Sequence, residues 1–399
     1  MTALEIYTER HAIRKEANDI KDELISWRRF LHQHPELAFE EENTKQFIQK
    51  KLKEFGIESK ILAKTGVVAL LTGKEQGPTI ALRADMDALP IQEENNVPYV
   101  STIPGKGHMC GHDAHIAMLL GAAKILSKKN IEKGNVKFIF QPAEEIGGGA
   151  KALIEEGVLD NPAVDAILGL HVYPKLETGK ITSEHGISCA ACDFFEVEIH
   201  SEGGHGAHPH LTVDPITTAA EVISSLQHIV SREIDPLSSA VVTIGQIHGG
   251  SANNIIPSTV KFSGTVRTLD PEVRKTMEER IDRITKGVTQ AHRACYQLNY
   301  QYLFPSVTHN ESLIPILEKT AKDVLGEGKL TYSKPSMGGE DFSFYTEKVP
   351  GITFRLGTGN EAKGTTYSLH HPKFDVDEDA LEIGTALIAK FTLNYLSNS

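Results

Sequence analysis

The chain has 399 residues, enough for about two or three domains, and 40% of them are hydrophobic, which is enough for sizeable cores. Its formal net charge of −12 argues against a nucleic-acid or anionic-membrane partner. No apolar run is long enough to span a bilayer, and four cysteines (Cys110, Cys189, Cys192, Cys295) are too few to staple a fold of this size. The opening stretch carries Glu5, Glu9, Arg10, Arg14 and Lys15 and has no apolar centre, so the expectation is no secretory signal and a reduced, cytoplasmic setting. Cys189 and Cys192 form a C-x-x-C with no second pair and with alternating apolar residues after it, which packing explains better than chemistry.

Residues 1–33 predict one or two amphipathic helices, with Ile20, Leu24, Trp27, Phe30 and Leu31 at helical spacing. A second helix is predicted over Asn43 to Phe55, stopped by Gly56. Short apolar strands are predicted at Gly66 to Leu71, Thr79 to Ala84, Asn135 to Phe140, Ala163 to Leu170 and Ile352 to Leu356. Helices are predicted between them at 114–126 and from the Gly147–Gly149 run to about Glu156. Continuous apolar strands alternating with helices mark a mostly parallel central sheet covered on both faces, an α/β fold. Between Asp193 and Tyr302 the texture changes. Phe194 to His200 and Val260 to Arg267 alternate, Val241 to Ile247 is a third strand, and helices are predicted near Ile216 to Val230 and Pro271 to Ala294. This predicts a smaller α+β domain, 191–303, inserted into a larger one made of 1–190 and 304–399. Leu313 to Leu325 and the stretch after Asp377 predict the closing helices.

The chemistry concentrates at strand ends. Asp85 and Asp87, then Glu144 and Glu145, then His171 each follow an apolar strand, and in open α/β sheets ligands bind outside the carboxyl ends of the strands. Gly107 to His115 packs Cys110, His112, Asp113 and His115 into nine residues ahead of an apolar helix. Thiolate and imidazole suit zinc and its neighbours, although a glycine turn with a structural cysteine would read the same in isolation. His370 and His371 supply a late imidazole. Cys110, His112, Glu145, His171 and His370 make five ligands, too many for one tetrahedral zinc with an open position. They suit two ions about 3.5–4 Å apart sharing a thiolate or water. Of the two adjacent glutamates, one can bind metal while Glu144 acts as a base toward water, as amide hydrolysis requires. In the inserted segment, the Gly203 to His210 loop carries His205, which could donate to a developing oxyanion. Asn254 and Arg267 are polar groups of the same segment, and Arg267 could clamp a substrate carboxylate or form a surface salt bridge.

Several motifs run in order over nearly the whole chain: Arg83 to Pro90, Gly107 to Asp113, Gln141 to Glu145, Gly169 to His171, Gly203 to His210, Asn254 to Pro257, Met337 to Phe342, and His370 with Pro372 and Phe374. Together they resemble peptidase family M20, and more narrowly its amidohydrolase branch of aminoacylases, hippurate hydrolases, auxin-conjugate hydrolases and N-acetyldiaminopimelate deacetylases. The resemblance implies a catalytic domain holding two divalent ions (zinc, manganese, cobalt or nickel) and an inserted lid domain that dimerises, giving a homodimer or a pairing of dimers. It implies Cys110 as a bridging ligand beside His112, Glu145, His171 and His370, Glu144 as general base, His205 as the lid histidine that supports the tetrahedral intermediate, and Asn254 and Arg267 near the substrate carboxylate. The implied reaction is cleavage of a small N-acyl-L-amino acid to a carboxylate and a free amino acid. A dipeptidase or carboxypeptidase on the same site, a hydrolase using Cys110 as nucleophile, and a non-catalytic member that uses the pocket only for binding are the alternatives.

Two positions depart from the wider pattern. Where the superfamily has His-x-Asp, this chain has Asp85-x-Asp87, so His112 stands in for the lost ligand. Where the branch has a small polar residue after the late ligand, this chain has His371, and spacing to Pro372 places the ligand at His370.

Overall fold

A computed structural model describes residues 12–397; the part of the first predicted helix before residue 12 lies outside the described residues. The chain divides into two compact units. One comprises the described residues up to Ser188, with Thr308–Lys334 and the stretch from Asp341 onward. The other comprises Cys189–Val307 and Pro335–Glu340.

The first unit is built on an eight-stranded sheet in the order Ser59–Leu62, Gly66–Thr72, Lys133–Gln141, Glu75–Asp85, Ala166–Glu177, Gly351–Gly359, Ile181–Ser183, Leu330–Tyr332. Its middle is parallel: Lys133–Gln141, Glu75–Asp85, Ala166–Glu177 and Gly351–Gly359 run the same way. Gly66–Thr72 and Ile181–Ser183 join antiparallel on either side. Residues 79–85 are buried without interruption, as expected of a parallel strand covered on both faces. The two faces can be told apart by alternation. Ile80, Leu82, Ala84, Phe138, Phe140, Leu168 and Phe354 share one apolar cluster with the helices His112–Leu126 and Asp379–Ser397. On the opposite face Gly169 abuts the ring of Phe342, next to the short helix Ser343–Thr346. The short strands Ser59–Leu62, Ile181–Ser183 and Leu330–Tyr332 carry too few residues for periodicity to reveal them.

Register explains why the acidic and imidazole groups meet. Arg83 lies level with both Ile139 and Gly169, and Asp85 with Gln141. Two residues beyond Arg83, the chain therefore delivers Asp85, Gln141 and His171 to one rim of the sheet.

The second unit is a four-stranded antiparallel sheet in the order Ala240–Gly249, Thr259–Thr268, Ala191–His200, Cys295–Phe304. Helices Pro215–His228 and Pro271–Ala291 cover its apolar side, where Phe195, Val197, Val222, Leu226, Phe262, Met277 and Ile281 form one cluster. Each helix opens on an aspartate cap followed by proline: Asp214 accepts from the Ile216 N–H at 2.8 Å and Asp270 from the Glu272 N–H at 2.8 Å. The strand Cys295–Phe304 was not anticipated; it is a sheet edge, and its alternation is muted because even its inward residues are only half-buried.

Candidate metal centre

Cys110 and His112 flank Gly111, whose φ of +89° lies in the left-handed region. A side chain there would also collide with the fold, since a Cβ would stand 2.4 Å from Val172 Cγ2. The turn leaves Cys110 in the loop and starts the helix His112–Leu126 at the histidine. His370 docks on the same loop by donating its backbone N–H to the Met109 carbonyl at 2.7 Å. The chain bends sharply there, with His370 at φ +64°.

The five predicted ligands converge. Cys110 Sγ lies 3.5 Å from His171 Nε2. Glu145 Oε1 lies 3.9 Å from His112 Nε2 and 3.5 Å from His370 Nε2. Cys110, His112 and His171 present ligand atoms all within 4.8 Å of one another, and so do Cys110, Glu145 and His370. Cys110 belongs to both groups, where one thiolate can face two cations. His112, Glu144 and Glu145 form a further such group, which puts the second glutamate at the same centre. His371 points elsewhere: its ring stacks on Tyr367 and its Nδ1 accepts from the Lys373 N–H at 3.0 Å.

The arrangement fits divalent cations. His112 Nδ1 donates to the Asp87 carbonyl at 2.8 Å and His171 Nδ1 to the Val172 carbonyl at 2.8 Å. Each Nε2 lone pair is thereby turned toward the cluster, as in metal-binding histidines generally. His112 Nε2 is buried with no hydrogen-bond partner, a rare condition that calls for an ion or water. Burial, with Glu145, Glu144 and Asp85 nearby, holds the Cys110 thiol well above its ordinary pKa. Burial alone would lower His112, but Asp85, Asp87 and Glu145 outweigh it and push the imidazole up to about 10. His171 goes the other way, down to about 3, through burial and the neighbouring His115. The negative field that retains those protons is the field that favours a divalent cation, whose binding displaces them.

The glutamate pair is aimed by Asp87. Its Oδ1 accepts from the Glu144 N–H at 3.0 Å and its Oδ2 from the Glu145 N–H at 3.0 Å. Arg83 ties two strand ends to the turn before the helix Ser343–Thr346, donating to Asp85, Gln141 and Asp341 at 2.6, 2.8 and 2.9 Å. Behind the Cys110 loop, Arg28 is fully buried and donates to Asp113 at 2.8 Å and Asp375 at 2.7 Å, so one guanidinium joins the loops of His112 and His370. Sequence reasoning missed Arg28 and gave no role to Arg83, named only as part of a motif, or to His115, counted only in the Gly107 to His115 cluster. Only His115 left a signal, standing one helical turn after His112 and so on the same face.

The other predicted residues lie in the second unit. His205 pairs with Ile255 in a two-stranded ladder, and the Asn254 carbonyl accepts from the Gly206 N–H at 2.8 Å, so His205 and Asn254 are neighbours. His205 Nδ1 accepts from the Ala207 N–H at 3.0 Å, which places the ring proton on Nε2. Arg267 lies on the strand Thr259–Thr268, level with Cys192 and Val241.

The chain is similar to known proteins along most of its length. The sequence profile of peptidase family M20/M25/M40 matches residues 81–394. A Bacillus subtilis protein named N-acetylcysteine deacetylase is 41% identical over 373 residues, 93% of this chain and 96% of that one. A Geobacillus stearothermophilus protein named N-acyl-L-amino acid amidohydrolase is 46% identical over 303 residues, 75% of this chain and 81% of that one. Among solved structures, the Bacillus subtilis YxeP protein, described as a dinuclear metal binding peptidase of the M20 family, superposes with a TM-score of 0.85 at 37% identity, covering 96% of this chain and 99% of that one. The chain therefore belongs to peptidase family M20/M25/M40, as a hydrolase of its amidohydrolase branch.

Proposed function

We propose that this protein is a two-metal amidohydrolase that cleaves N-acyl-L-amino acids to a carboxylate and a free amino acid. The observation that carries the reading is the adjacent pair Glu144 and Glu145, both held at their main chain by Asp87 beside a cluster of thiolate and imidazole donors. Cys110, His112, Glu145, His171 and His370 would hold the ions, with Cys110 shared. Divalent cations bound there lower the pKa of water and polarise an acyl carbonyl. Glu144 takes the proton from the attacking water and hands it to the leaving amine, so that the C–N bond breaks with a neutral amine departing. His205, with its proton on Nε2, donates to the developing oxyanion. Asn254 and Arg267 hold the substrate carboxylate, and the inserted domain serves as lid and dimerisation domain of a homodimer or a pairing of dimers.

A nucleophilic role for Cys110 fits the site poorly. A reactive thiol needs a depressed pKa, whereas burial and three carboxylates push this one up. Four cysteines in 399 residues suit a reducing, cytoplasmic setting, and no described helix is long and apolar enough to cross a membrane.

The test is turnover of a panel of N-acyl amino acids and of dipeptides by protein reloaded with zinc, manganese, cobalt or nickel. Glu144→Gln should lose about 10²- to 10⁴-fold in kcat while its metal content stays at the parent level. Near-parent turnover by that variant removes Glu144 as base. Faster cleavage of dipeptides than of acyl amino acids makes the enzyme a peptidase, and a covalent acyl-Cys110 adduct in the mass spectrum makes it a thiol hydrolase.

A further inference from the structure

Asp85, His112 and His115 present a fourth group of potential ligand atoms within 4.8 Å of one another, all three side chains buried. The hydrogen bonds show that two of its members are already committed. Asp85 Oδ2 accepts from Arg83 Nη1 at 2.6 Å, and Oδ1 faces His115 Nδ1 at 2.6 Å. His115 Nε2 accepts from the Val172 backbone N–H at 2.9 Å. A backbone N–H can only donate, so Nε2 carries no proton and the proton sits on Nδ1, where Asp85 receives it. An ion ligated by His115 would have to evict the Val172 N–H and leave it buried without an acceptor.

The same peptide segment orients His171. Val172 follows it in the chain, and the Val172 carbonyl accepts from His171 Nδ1 at 2.8 Å. One buried residue thus gives its N–H to one imidazole and takes the N–H of the next. The two rings meet edge to face, centroids 4.7 Å apart at 70°.

We propose that His115 is a positioning residue for the metal centre: with Asp85 fixing its tautomer, it anchors the Val172 main chain and so aims His171 Nε2 at its ion. The chain of contacts runs Arg83, Asp85, His115, Val172, His171 and involves no ligand to metal before its last member. This rests on the reading of His171 as a ligand in a two-ion site.

Cobalt(II) titration of the metal-free protein tests it, following thiolate-to-cobalt absorption, ligand-field bands and bound cobalt by equilibrium dialysis. The parent should take up two ions per chain; any other number counts against the two-ion reading, independently of His115. His115→Leu, which removes both hydrogen bonds, should still take up two ions at saturation, with the parent's ligand-field spectrum. One of them should bind about 10- to 100-fold more weakly. His115→Gln, whose amide can both donate and accept, should recover part of that loss, and it carries the test alone if circular dichroism shows that His115→Leu does not fold. Parent-like affinity for both ions in His115→Leu, or no recovery in His115→Gln, overturns the proposal. So does the loss of one ion at saturating cobalt with altered ligand-field bands, because His115 would then be a ligand itself.

Discussion

Asp87→Asn asks whether the glutamate pair works because it is aimed. The aspartate spends one oxygen on the Glu144 N–H and the other on the Glu145 N–H, both at 3.0 Å. Asparagine is the same shape but keeps one acceptor. Whichever way its amide turns, an NH₂ faces one of the two backbone N–H groups, donor against donor. A hydrogen bond to a charged group contributes about 1.5–3 kcal/mol, and leaving a buried donor unsatisfied costs about 1–3 kcal/mol. A net loss of about 2–3 kcal/mol in the placement of Glu144 corresponds to about 30- to 150-fold in kcat/KM. The contact from His112 Nδ1 to the Asp87 backbone carbonyl, at 2.8 Å, survives the substitution. Because the Glu145 N–H leans on the same carboxylate, metal affinity should fall too, and turnover should stay low once the metal content is equalised. Steady-state kinetics on an N-acetyl amino acid, with bound metal measured on the same sample, check both halves. Turnover within about threefold of the parent at equal metal content would refute the idea that Asp87 positions the base.

Two further substitutions probe the frame. Gly111→Ala forces a side chain into the left-handed region at φ +89°, with its Cβ 2.4 Å from Val172 Cγ2 and 3.3 Å from Phe374 Cζ. Backbone strain of about 1–2 kcal/mol and overpacking of about 1–3 kcal/mol add up to a variant that melts several degrees early and binds cobalt more weakly; a melting curve matching the parent's contradicts this. Arg28→Met removes the buried guanidinium between Asp113 and Asp375 and should cost about 3–5 kcal/mol, because it leaves carboxylates uncompensated. The pH dependence of that network has a definite sign. Burial would raise the Asp113 carboxyl, but Arg28 and His32 outweigh it and hold it below its ordinary range. A carboxyl depressed in the folded state adds stability above its unfolded pKa of about 3.9 and loses it as the pH falls through the folded value. Thermal melts from pH 7 downward should show Asp113→Asn less stable than the parent at neutrality, with a shallower decline below about pH 4; parallel curves for the two proteins would refute it.

Features of the site were legible in the sequence to the extent that they are local. Asp85 and Glu145 were visible because buried parallel strands are continuous apolar runs, and polar residues at or just past the end of such a run stand out; His171, expected just past its strand, instead lies inside Ala166–Glu177, which pairs on through it with Gly351–Gly359. The two-residue offset that brings Asp85, Gln141 and His171 to one rim is a property of register, which no single segment encodes. Spacing to Pro372 favoured His370 over His371; in the structure His371 is occupied with Tyr367 and Lys373 while His370 Nε2 faces Glu145. Arg28 gave no signal because an arginine in an amphipathic helix reads as solvated until its partners, 85 and 347 residues away, are known.

The departure at Asp85 becomes intelligible in the same terms. Where the wider superfamily pattern has a histidine at the first strand end, a carboxylate here needs buried donors of its own, and Arg83 and His115 provide them. His112 and His115 stand three residues apart on one helix face. One turn of that helix thus presents both the imidazole proposed to stand in for the missing ligand and the imidazole that donates to the carboxylate at 85. Positions 85, 112 and 115 are then a single physical unit: a neutral histidine at 85 would offer one acceptor nitrogen where the Nδ1–H of His115 and the guanidinium of Arg83 each need an acceptor. Restoring the superfamily residue by Asp85→His alone should therefore weaken the centre rather than supply a sixth ligand.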